Sequence, residues 1–176
     1  MSAQDVSEIR WFENLFSARP AKQSIEDENQ NLNNKRIEAV KIFDANGEAR
    51  AMIELSAFNL VQLKDYGEAM NWLMKSLVLE DSMNLPKERV FTCIAIARVF
   101  EAVGDYTKSA NFLSQARASN DKNKEEDFAL LTLIVSETGR VNAQLGEVNN
   151  AFAEYEQMLK YARSIESSDK EGDAQF

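Results

Sequence analysis

Three short stretches, Leu63-Lys64-Asp65-Tyr66, Val103-Gly104-Asp105-Tyr106 and Leu145-Gly146-Glu147-Val148, decide the fold of this 176-residue chain. They lie 40 and 42 residues apart, and each separates two segments with helical apolar spacing. Self-similarity at such a period marks stacked supersecondary units, each unable to bury its apolar face alone. Small residues recur at matching offsets around the turns: Ala57, Ala97 and Gly139 upstream, Ala69, Ser109 and Ala151 just downstream, and Ser76, Ala116 and Met158 seven residues further on. Eight of these nine positions are small, which lets two helices cross closely, while Leu73, Leu113 and Tyr155 fill the space beside the crossing. The spacing predicts helices over 50–63, 67–82, 87–103, 105–119, 124–145 and 147–165, with Pro86 in a first turn and the extra residues of the long period near 81–85 and 120–123.

The Gly-Asp-Tyr turn, the paired small positions and the large residue four places beyond the second-helix alanine resemble the tetratricopeptide repeat over about residues 50 to 165. Lys64 stands where the pattern has a turn glycine, Val148 where it has a tyrosine, and Met158 where it has a small residue; the closing proline is missing and the period exceeds 34 residues. The resemblance implies an all-α fold, a right-handed α-solenoid of antiparallel helix hairpins, occupying residues 48–165. Residues 1–47 then form an N-terminal helical extension or cap, and 166–176 an acidic disordered tail without apolar period.

In the extension, Val6, Ile9, Phe12, Leu15 and Phe16 outline a first helix that Pro20 ends. Ser24 and Asp27 cap a second, which the asparagines between 29 and 34 threaten to interrupt and which Asn46-Gly47 is expected to stop. Six glycines and two prolines against abundant helix formers are consistent with this reading, and the length suits one domain.

Composition excludes more than it assigns. Twenty Lys and Arg against 29 Asp and Glu give a net charge of −9, which disfavours nucleic acid. The absence of histidine removes the commonest general base and zinc ligand, and no phosphate-loop, dinucleotide, zinc or calcium motif occurs, so the chain reads as non-enzymatic, with no cofactor and no metal. The run Glu125-Glu126-Asp127 reads as helix capping. Cys93, the single cysteine, sits in the apolar segment Phe91–Ala97 as a packing residue, and a reducing, cytoplasmic location follows as the expectation. The first sixteen residues lack the features of a secretory leader, and Phe128–Val135, the most apolar run, is too short for a membrane span.

Function is expected on surfaces, as a protein–protein interaction module: an adaptor or assembly subunit holding a partner protein or peptide in its concave groove. On the groove helices, Phe58, Phe91, Ile94, Arg98, Arg140 and Gln144 are the candidate partner-binding residues. Arg98 and Arg140 are equivalent in neighbouring repeats and suit a carboxylate, with the rival reading that they pair internally with acids such as Glu101 and Glu137. Trp11, Phe12 and Phe16 form a second candidate surface, for partner binding or a homo-oligomer, whose rival use is to cap the repeats. Two alternatives keep the fold and change the task. One is a dedicated chaperone similar to the small acidic three-repeat chaperones of type III secretion; the other is a peptide-binding regulatory module.

Overall fold

The computed structural model describes residues 3–17, 24–121 and 127–173, with side chains from 6 to 163 within those ranges. The described chain is helical: α1 (Ala3–Leu15), α2 (Ile25–Lys41), α3 (Ala45–Phe58) continued by a π-helical turn (Asn59–Leu63), α4 (Tyr66–Met83), α5 (Pro86–Ala102), α6 (Tyr106–Asn120), α7 (Phe128–Gln144) and α8 (Val148–Asp173). No strand occurs among the described residues, and no helix there is long and apolar enough to cross a membrane. Pro20, Glu125 and Glu126, to which the sequence assigned a stop and a cap, lie outside the described residues. Asp127 is described, and its carboxylate accepts from the backbone N–H groups of Ala129 and Leu130, capping α7.

The turns share one chemistry. Phe43, Lys64, Gly104 and Gly146 all have positive φ, and each precedes an acid, Asp44, Asp65, Asp105 or Glu147. The three aspartates cap the next helix, accepting from Gly47, Glu68 and Lys108 N–H at 2.9–3.0 Å. The acid's own N–H closes the preceding helix by donating to Ala39, Asn59, Phe100 or Asn142 O, the wide loop-back of a left-handed helix stop. In the Asn59 case the bond spans one residue more, and the π turn absorbs it. Asn84, also at positive φ, ends α4 the same way, with Leu85 N–H donating to Glu80 O before Pro86 opens α5.

The turn at Phe43-Asp44 corrects the expectation that Asn46-Gly47 stops the second helix. Both residues sit inside α3's first turn, because the Asp44 carboxylate captures the Gly47 N–H that a turn would have used. Nor do the asparagines interrupt α2: Asn33 Nδ2 donates to Asn29 O and Oδ1 one turn back, on the exposed side. α8 also runs on to Asp173, past the expected start of the tail at 166, since extending a formed helix is far easier than nucleating one.

Lys64 pays the left-handed penalty that Gly104 avoids. We expect Lys64→Gly to raise stability by up to about 1 kcal/mol and Gly104→Ala, which meets no atom within 4 Å, to lower it by about 1 kcal/mol. Urea unfolding with unchanged m-values would show both.

From α2 onward consecutive helices pack on one another, and α3, α5 and α7 also touch in series. α3 from Ala51 to Phe58 and α5 from Val90 to Ala97 are buried on every side, Glu54 among them. The eight small positions are all buried, whereas Met158 is only half-buried. Gly139 is glycine for want of room: a Cβ there would lie 2.8 Å from the Tyr155 ring.

Candidate functional site

The face shared by α3, α5 and α7 is not bare. α1 lies across it, touching α3 and α7 along the backbone and α5 through its aromatic rings. The first-helix stripe aims Phe12 inward, where it is fully buried with its ring 5.1 Å from Phe91 and 5.2 Å from Phe16. Trp11 meets Phe91 edge-on at 5.8 Å and donates from Nε1 to Glu54 Oε1 at 2.8 Å. The indole is half-buried, and that buried carboxylate gives its N–H a partner.

Charge fastens both ends of α1. Glu8 pairs with Arg50 of α3 and Lys87 of α5, each at 2.7 Å; Arg50 reaches Glu88 at 3.1 Å, and Lys87 reaches Asp127 at 3.3 Å. One α1 carboxylate thereby ties three helices together. Burial alone would push the Glu8 carboxyl up, but hydrogen bonds and charge from Lys87 and Arg50 outweigh it and hold the group below its ordinary value. At the other end the Arg98 guanidinium lies over Phe12 and Phe16, 5.0 and 4.6 Å from the ring centroids, while donating to Glu137 at 2.5 Å. Glu54 also takes Lys35 of α2 at 2.5 Å, so α2 shares α1's anchor.

Arg140 donates to Glu101 and Glu137, completing a network in which Arg98 and Arg140 are paired internally. Of the two readings of these arginines, internal pairing describes this arrangement. Burial raises Glu101 despite Arg140, whereas Glu137, buried between Arg98 and Arg140, is held below its ordinary value.

The two candidate surfaces therefore meet. Trp11, Phe12 and Phe16 are seated on Phe91 and Arg98, with Ile94 buried in the same core cluster. Phe58 is buried beside them in a cleft of about 310 Å³ between α1, α2 and α3, also lined by Trp11, Leu15, Leu32, Glu54 and Gln62. Gln144, the last residue of α7, is exposed, and nothing gathers it to this set. The sequence left open whether the N-terminal helices cover Phe58, Phe91 and Ile94; here the two candidate sets form one intramolecular interface, because apolar rings on α1 lose more water by docking than by standing free. The charged latch of Glu8, Arg50 and Lys87 escaped sequence reading, since no local spacing links residues 8, 50 and 87.

Among the described residues no cluster of three or more acids or thiols is arranged to hold a metal ion, and Cys93 is buried, its thiol pushed up to about 12 by its apolar surroundings. No protein-family model matches this chain, and no curated protein matches it.

Proposed function

We propose that the protein is a non-enzymatic interaction module: a right-handed α-solenoid of tetratricopeptide-like hairpins whose concave face, made by α3, α5 and α7, binds an amphipathic helix of a partner protein. The observation that supports this is α1 itself. It lies on that face as a ligand would, with an aromatic pair in the centre, an acid at one end and an arginine stacked on rings at the other. α1 is then a built-in occupant. A partner helix with the pattern acid, three residues, aromatic, three residues, aromatic, as in Glu8, Phe12 and Phe16, competes with it and sees an affinity reduced by the fraction of molecules whose face is free. The repeated left-handed turn before a capping acid, and the buried small positions, support the hairpin-repeat reading. A lone buried thiol and a net charge of −9 fit a reducing, cytoplasmic setting and a protein partner over nucleic acid.

The test is affinity capture from native lysate with wild type and Glu8→Lys, which reverses the latch without touching the apolar contacts. A partner held several-fold better by the folded variant, and displaced by a synthetic peptide of residues 3–17, is the expected result. Equal capture by both proteins, unaffected by the peptide, removes the α3–α5–α7 face as the site.

A further inference from the structure

Glu54 is the one ionisable residue in the buried stretch 51–58 of α3, and it is 7% exposed. A carboxylate in that position costs more than an apolar side chain of the same size unless donors meet its oxygens. Two donors do. Lys35 Nζ of α2 reaches both oxygens at 2.5 and 2.6 Å, and the indole N–H of Trp11 reaches Oε1 at 2.8 Å. Lys35 is more than half exposed and keeps water around its ammonium, whereas the indole is the donor that α1 brings to the face.

The same indole is recognised in two further ways. The Arg50 guanidinium lies over the ring, 5.5 Å from its centroid, and Phe91 meets it edge-on at 5.8 Å with the planes 89° apart. A cation over the π face, an aromatic neighbour and an acceptor for its only polar atom together describe a tryptophan and fit other side chains worse. Phenylalanine would leave Glu54 without the second donor. Lysine or arginine would supply an N–H but add a third cation beside Arg50 and Lys35.

We propose that Glu54, Arg50 and Phe91 form a tryptophan-selective subsite. A partner helix on the α3–α5–α7 face then carries a tryptophan directly before the first of its two aromatics, as Trp11 stands before Phe12; this rests on the reading of that face as a helix-binding site. The full pattern becomes acid, two residues, tryptophan, aromatic, three residues, aromatic, as in Glu8, Trp11, Phe12 and Phe16. Glu54 sorts one helix from another because a missing hydrogen-bond donor leaves a buried acceptor unpaired, a loss that discriminates far more strongly than a missing methylene.

Calorimetric titration of two synthetic peptides of residues 3–17 tests it. The receptor is the full chain with Phe12→Ala, in which the built-in occupant has lost its central ring. One peptide is natural, and the other has naphthylalanine in place of Trp11, which keeps two fused rings and lacks the N–H. The natural peptide is expected to bind about tenfold or more tightly. Adding Glu54→Leu to the receptor, with folding checked by circular dichroism, is expected to erase that preference, and Glu54→Gln, which keeps an accepting oxygen, to retain part of it. Equal affinity of the two peptides for the Phe12→Ala chain overturns the subsite and leaves the helix-binding face standing, as does a preference that survives Glu54→Leu. Binding of neither peptide removes the proposed function itself, and the subsite with it.

Discussion

Glu80→Gln is expected to abolish most of the loss of stability that wild type shows between about pH 5 and about pH 8. The Glu80 carboxyl is fully buried between α4 and α5, accepting from Ser76 Oγ at 2.7 Å and Thr92 Oγ1 at 2.5 Å, while its second oxygen meets no partner. Burial pushes it from 4.5 to about 7, against the pull of the two hydroxyls and of Arg89. Between those values the folded chain holds a proton that the unfolded chain has released. Stability conferred by that proton is therefore full below 4.5 and is lost as pH rises through about 7. The span corresponds to at most about 3 kcal/mol, or roughly 5 to 10 °C in Tm for a chain of this size. A glutamine keeps the accepting oxygen and never ionises. Thermal melts at the two pH values should show wild type falling while the variant stays nearly level; Glu101, also raised, contributes a remainder of the same sign. Parallel falls in both proteins would show that Glu80 ionises in the fold without penalty.

The second large effect is expected at Phe12. The ring is fully buried on Phe91, Phe16 and the Arg98 guanidinium, and truncating a buried phenylalanine costs about 3 to 5 kcal/mol. If α1 is a separable occupant of the α3–α5–α7 face, Phe12→Ala releases that helix and spares the remainder. Amide exchange across residues 3–15 should then quicken about a hundredfold or more, in line with that loss, while Val90–Ala97 of α5 keeps its protection. Equal acceleration in α1 and α5 would make α1 part of the cooperative core and deprive the proposed function of its built-in ligand. The ion pairs alone are not expected to hold α1, because Arg50 and Lys87 are half-exposed and such pairs are individually weak.

Much of the helical architecture was legible from local chemistry. A helix needs a stop and a cap, and Gly104-Asp105 and Gly146-Glu147 supply the left-handed residue and the acid within two positions. Lys64-Asp65 was found by alignment with them, although lysine is an unusual residue at positive φ. Phe43-Asp44 and Asn84-Leu85 perform the same stop without glycine, and the search by composition passed over both. The helix bounds 67–82, 87–103 and 105–119 agree with α4, α5 and α6 to within a residue at each end, since caps and apolar periodicity are properties of neighbouring residues.

By itself, then, the sequence determined that the chain is helical, where α4, α5 and α6 begin and end, and which small positions are buried at the crossings. Those outcomes rest on interactions within a few residues, which spacing records. Only the tertiary structure decided that α1 lies on the α3–α5–α7 face, that Trp11 finds Glu54, that Glu8 latches Arg50 and Lys87, and that Arg98 is spent on Glu137 and two aromatic rings. Each of these joins residues about 40 or more apart in the chain. Which apolar stripe meets which is settled by the global loss of apolar surface from water, a non-directional force that leaves no local mark in the order of residues.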